Sequence, residues 1–152
     1  MDIVFKNYTS LSAPGNGFFR KVLETAAQEL KLKDKIEASI NLIGENKIRE
    51  LNKKYRDKNE PTDVLSFPMA ENIHDPSFKF QVSGSMIHDI GDIFICLSIA
   101  KNEAKRENIT IKEKLAQLAT HGFLHLLGYD HEKSKQSAKN MFELENKILS
   151  KL

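Results

Sequence analysis

The chain has 152 residues, 40% hydrophobic and 29% charged, which is enough to bury one core and too little for two ordinary domains. A formal net charge of +2 and a pI near 8.6 are compatible with a nucleic-acid partner without demanding one, because mild basicity is common in unrelated proteins. The run Met1 to Tyr8 carries charges inside too short an apolar stretch for a signal peptide, no stretch reaches the length of a membrane span, and a lone Cys96 excludes an internal disulfide and a Cys-rich zinc cage. One cytoplasmic domain over residues 1–152, with Cys96 packed in its core, is the expectation.

Residues 2–8 alternate Ile3 and Phe5 with Val4 and Lys6 and read as a first strand, followed by a Ser-Ala-Pro-Gly-Asn-Gly loop over 12–17. From Phe18 to Leu32, Phe19, Val22, Leu23, Ala26, Ala27 and Leu30 recur at helical spacing. Residues 35–43 set Ile36, Ala38, Ile40 and Leu42 on one face with period two, a half-buried strand closed by Gly44. Ile48, Leu51, Asn52 and Tyr55 are then the inward stripe of a charged helix ending near Arg56. Pro61 and Pro68 bracket a short strand over 62–67. Residues 70–88, with Pro76, Gly84 and weak alternation, read as a surface excursion carrying His74 and His88. A strand resumes over 89–96, and a Lys/Glu-rich helix with a solvated face runs from Ser98 to Asn108.

Thr110 and Glu113 form a capping box, so a helix starts there and ends at Gly128. Ile111, Leu115, Leu118, Ala119, Gly122 and Leu126 form its apolar stripe, and Phe123, Leu124 and Leu127 make its last turns apolar nearly all round, as befits a centrally buried helix. Ser134 to Leu152 closes the chain as an amphipathic helix with Ala138, Met141, Phe142, Leu144, Ile148 and Leu149 inward. The order β-α-β-α-β-β-α-α-α implies an α+β domain, a small sheet packed with helices.

Three of the five histidines fall within residues 121–131. His121 and His125, four apart on a helix, point two imidazoles at one ion, and the helix-stopping Gly128 lets His131 approach it from outside. Three protein ligands with an open fourth position describe a catalytic zinc site. One zinc ion so held lowers the pKa of bound water from 15.7 to about 7, which makes hydrolysis the natural reaction class. The spacing equals that of the metzincin proteases, whose motif places a general-base glutamate after the first histidine. Here that position is Gly122, so peptide hydrolysis lacks its proton shuttle and a metalloprotease is the weaker reading.

The run from His121 to His131 resembles the signature of the YbeY family, bacterial rRNA maturation factors regarded as metal-dependent single-strand endoribonucleases. Leu51 to Arg56 leading into Pro61 to Pro68, and Gly91 to Ile95, extend the similarity over about residues 35–131. The resemblance implies a mixed-sheet, zincin-like fold and zinc bound by His121, His125 and His131. It also implies a role in 16S rRNA maturation and ribosome quality control. Single-stranded RNA, ribosomal subunits and ribosomal proteins are the implied partners, with His121 and Arg56 as catalytic residues. Arg56 matches the family's functional arginine, and its planar fork suits a substrate phosphate. Without the resemblance it reads as a helix-end arginine complementing the helix dipole. Asp130 is either a partner that orients a histidine or shuttles a proton, or simply a turn residue. Thr62 and Ser66 are equally plausible as substrate contacts and as structural hydrogen-bonders, Asp92 stays open, and Tyr129 reads as packing. The rival to an endoribonuclease is a ribosome-associated assembly factor whose zinc is structural.

Overall fold

The computed structural model describes residues 1–33, 35–69 and 88–152. Its elements are β1 (Asp2–Asn7), α1 (Asn16–Glu29), β2 (Ile36–Ile43), α2 (Glu45–Arg56), β3 (Val64–Pro68), β4 (His88–Cys96), α3 (Leu97–Glu107), α4 (Ile111–Leu126) and α5 (Lys135–Leu149). The sheet order is β1-β2-β4-β3, with β1, β2 and β4 parallel and β3 antiparallel at the edge. The α+β class with a small mixed sheet is therefore observed.

Alternation along the strands divides the interior in two. Ile36, Ala38, Ile40 and Leu42 of β2, with Ile90, Ile93 and Ile95 of β4, face the main core, which α1, α4 and α5 cover. Ile43, Leu65 and Cys96 point the other way and pack with Ile48 of α2 and with Leu51, Phe67 and Phe94. Cys96 is fully buried, as expected. β4 carries a bulge where Ala38 pairs with Gly91 and Ile90 is the extra residue. Gly91 has φ +129°, and a Cβ there would lie 2.2 Å from the Phe67 carbonyl oxygen, so only glycine lets edge strand β3 close on β4. Pro68 sits on that edge, where its missing N–H costs no ladder bond.

Several boundaries differ from the sequence expectation. Gly15, extended, is the N-cap of α1, so Asn16 and Gly17 form its first turn instead of a loop; at the other end Lys31, with φ 55°, stops it short of Leu32. β3 begins at Val64, where the Asp63 carboxylate accepts the Val64 N–H at 2.8 Å and the Asp63 carbonyl accepts the Cys96 N–H at 2.8 Å. His88 belongs to β4, not to the excursion, and its N–H bonds Lys35 O at 2.9 Å. His74 and the remainder of the expected excursion lie outside the described residues. α5 ends at Leu149, and Phe142, expected inward, is 64% exposed because the buried stripe of that helix runs through Met141 and Ile148.

α4 begins as expected: Glu113 N–H donates to Thr110 Oγ1 at 3.1 Å and Thr110 N–H to Glu113 Oε2 at 2.7 Å. It buries ten residues and packs on α1, α3, α5, β3 and β4. Its last helical residue is Leu126, two before the expected Gly128. There Gly128 N–H bonds His125 O at 3.0 Å and Tyr129 N–H bonds Leu124 O at 3.0 Å, the two bonds of a Schellman turn, with Gly128 at φ +98°.

Candidate metal centre

Helical periodicity and that turn together build the site. His121 and His125 sit one turn apart at the end of α4, and the Schellman turn reverses the chain. The Asp130 carboxylate then accepts the Glu132 N–H at 2.8 Å, which fixes the bend that carries His131. One nitrogen from each imidazole lies within 4.8 Å of the others, a grouping that can hold a metal ion. His121 Nε2 and His125 Nε2 are 3.0 Å apart. That is close to the edge of about 3.4 Å expected for a tetrahedron with metal–nitrogen bonds of about 2.0–2.1 Å.

The electrostatics favour a neutral ring at His125. Burial, reinforced by the neighbouring His121 and His131, pushes His125 down to about 4, against smaller upward effects of Asp130 and a hydrogen bond with the Tyr129 main chain. The Glu145 carboxylate on α5 meets His121 Nδ1 at 2.5 Å. A carboxylate there accepts a hydrogen bond from Nδ1–H, which fixes that tautomer and leaves the Nε2 lone pair facing the other rings.

The three rings open onto a cleft of about 560 Å³ that straddles edge strand β3, between the end of α2 and the end of α4. Arg56, Thr62, Ser66 and Asp130 line it with the histidines. Arg56 is the last residue of α2, held there by the left-handed Asp57 cap, and its Nη2 lies 4.0 Å from Glu132 Oε1. The same Glu132 oxygen is 4.0 Å from His131 Nε2. Thr62 Oγ1 bonds Asp63 at 3.4 Å, and Ser66 Oγ donates to Gly122 O at 3.2 Å. Asp92 is not among the cleft residues; it accepts from Ser39 Oγ on the neighbouring strand. Tyr129 is 39% exposed and is likewise not among them.

Glu145 and Glu132 escaped sequence reasoning. Glu145 had a signal: it follows Met141 by four and precedes Ile148 by three, so a charged residue stands on the buried face of an amphipathic helix. Glu132 had none, since its proximity to Arg56 comes from tertiary structure. Gly122 also acquires a second meaning. A Cβ there would meet Ile93 Cγ2 at 2.9 Å and Ser66 Oγ at 3.0 Å, so this glycine lets the sheet approach α4.

The family model described as Endoribonuclease YbeY matches residues 6–152. A protein named Endoribonuclease YbeY from Sulfurihydrogenibium sp. is 42% identical over 135 residues, 89% of this chain and 82% of the relative. One of the same name from Aquifex aeolicus is 42% identical over 132 residues, 87% of this chain and 80% of the relative. The solution structure of TM1509 from Thermotoga maritima aligns with a TM-score of 0.60 at 29% identity, covering 97% of this chain and 86% of that one. A family model spanning nearly the whole sequence and relatives this similar lead to one conclusion: the chain belongs to the YbeY endoribonuclease family.

Proposed function

We propose that this protein is a zinc-dependent, single-strand-specific endoribonuclease with a zincin-like site on its buried helix α4, acting in 16S rRNA maturation and ribosome quality control. Its site of action is the cytoplasm, with single-stranded rRNA, ribosomal subunits and ribosomal proteins as partners. No described helix is long and apolar enough to cross a membrane. The observation that carries the reading is the convergence of three imidazoles and the Arg56 guanidinium on one cleft.

His121, His125 and His131 would hold the ion, and their donor chemistry fits it: three imidazole nitrogens within 4.8 Å of one another, two of them 3.0 Å apart, with one ring oriented by Glu145. When bound, the ion supplies Lewis acidity and lowers the pKa of a water toward neutrality. The chain's own part is positioning and charge. Attack on a phosphodiester places negative charge on the nonbridging oxygens, and Arg56 across the cleft stabilises it. Glu132 sits beside that guanidinium and gives way to the phosphate, at little cost for a pair that is 47% and 63% exposed. Asp130 shapes the turn that presents His131 and adds negative charge near His125. Gly122 argues against peptide as the substrate, since no base stands there and a Cβ at that position would meet Ile93 and Ser66, while family membership points to RNA.

The test is metal analysis paired with cleavage of single-stranded and duplex rRNA fragments by the wild type, His121→Ala and Arg56→Ala. Metal-dependent cutting of the single strand alone is expected. His121→Ala should lose more than the roughly 10–100-fold in metal affinity that an outer-shell partner costs. Folded variants that process RNA as the wild type does would favour an assembly factor with structural zinc, and metal-dependent cleavage of a peptide library would favour a protease.

A further inference from the structure

The cleft holds an aromatic feature that metal binding and phosphate stabilisation do not use. Phe94, Phe67 and Tyr55 form an edge-to-face series, with centroids 5.7 Å apart at 72° and 5.0 Å apart at 61°. It begins in the small core beneath α2 and emerges into the cleft at Tyr55, which is 57% exposed. A single exposed ring needs no explanation by itself. Cations flank this one along its own segment: Lys54 Nζ lies 5.2 Å from its centroid, Arg56 follows it, and exposed Lys58 lines the same cleft, in which Asp63, Asp130 and Glu132 supply the opposite charge. An aromatic ring interleaved with cations is how proteins grip single-stranded nucleic acid, with bases on the rings and phosphates on the cations.

We propose that Tyr55, braced by Phe67, is the base-stacking platform of the cleft and the reason it prefers unpaired RNA. The inference rests on the reading of the cleft as an RNA site. A base inside a duplex has both faces covered by its neighbours and cannot lie on Tyr55 without unstacking, whereas an unpaired base can. The Phe67 edge contact holds the phenol ring in place, so little motion is lost when the base arrives. Lys54, on a flexible and exposed stem, moves from the ring toward a phosphate as the base takes its place.

The protein contains no tryptophan, so Tyr55→Trp gives a single indole reporter at the platform. Affinities for a labelled single strand and for a duplex are measured by stopped-flow fluorescence before turnover. Circular dichroism melting confirms that each variant is folded. Tyr55→Leu should bind the single strand roughly 5- to 100-fold more weakly with duplex binding little changed. Tyr55→Phe should bind as the wild type does, and Tyr55→Trp should hold its affinity and be quenched by the single strand only. Unchanged single-strand affinity in Tyr55→Leu overturns the platform, as does an equal loss on both RNAs or a loss in Tyr55→Phe. Failure of the wild type to bind or cut RNA sinks the RNA reading and the platform with it. Normal wild-type cutting with an indifferent Tyr55→Leu sinks the platform alone.

Discussion

The two ends of α4 bury polar groups in opposite ways. Near its start, Lys114 is only 7% exposed, and its ammonium is clamped by Glu107 at 2.9 and 3.0 Å and by Glu103 at 3.1 Å, both on α3. Burial opposes that charge, yet the hydrogen bonds and charges of the two glutamates outweigh it and hold the lysine above its ordinary pKa. Near its end, three imidazoles crowd together with the Glu145 carboxylate hydrogen-bonded to one ring and Glu132 4.0 Å from another, and burial and mutual proximity drive His125 down. Compensated charge fastens α3 to α4. Clustered imidazole nitrogens facing a cleft instead suit a cation.

The largest stability effect belongs to the fastened end. Lys114→Ala leaves Glu103 and Glu107 facing each other without their cation, and should cost about 3 kcal/mol in urea unfolding. Metal affinity of the folded variant should match the wild type. A parallel fall in metal affinity would show that the two ends are not independent.

At the cleft end the expected effect falls on binding. Glu145→Gln keeps the shape of the side chain and removes the charge that orients His121, so metal affinity should drop about 10- to 100-fold by competition with a chromophoric chelator. Stability without metal should barely move. An unchanged affinity would reduce Glu145 to a packing residue.

The same contrast shows what the sequence could and could not disclose. The histidine triad was legible because its geometry is local: a four-residue spacing on a capped helix, then a glycine that must turn the chain. The alternation of β2 and the capping box at Thr110 are local too. Glu145 sits 24 residues from its partner: its spacing from Met141 and Ile148 puts it on the inward face of α5, but which group it meets there is set by tertiary packing alone. Lys114 was hidden for the same reason. The place of β3, antiparallel at the edge beside β4, depends on strand pairing that no local pattern encodes. Gly122 shows how one residue can carry two arguments. Its meaning as an absent glutamate came from spacing, while its packing role needed the positions of Ile93 and Ser66.

Gly122→Ala tests that second role. Alanine gains up to about 1 kcal/mol in helix propensity. Against this, the added methyl is forced onto Ile93 Cγ2 and Ser66 Oγ, an overpacking strain of about 1–3 kcal/mol. A net loss of about 1–2 kcal/mol in unfolding free energy is expected. Stabilisation would show that Ile93 of β4 and Ser66 of β3 give way freely and that the glycine is not needed for the sheet to approach α4.

The smallest effect concerns protons. In the folded chain His125 titrates near 4, below the ordinary value of 6.5, so between those values the unfolded chain binds a proton that the folded chain refuses. Stability therefore falls as pH drops through this window, the reverse of a histidine that gains an acidic partner. For the metal-free protein, the loss between pH 7 and pH 5.5 should be about 1 kcal/mol, and His125→Gln should abolish most of it. Lys114 has the opposite sign: its contribution holds below its ordinary value of 10.5 and disappears only as pH rises through its raised folded value. Denaturation curves at pH 7 and 5.5 that coincide for the wild type would mean that His125 accepts its proton as readily folded as unfolded, and the electrostatic contrast between the two ends of α4 would not hold.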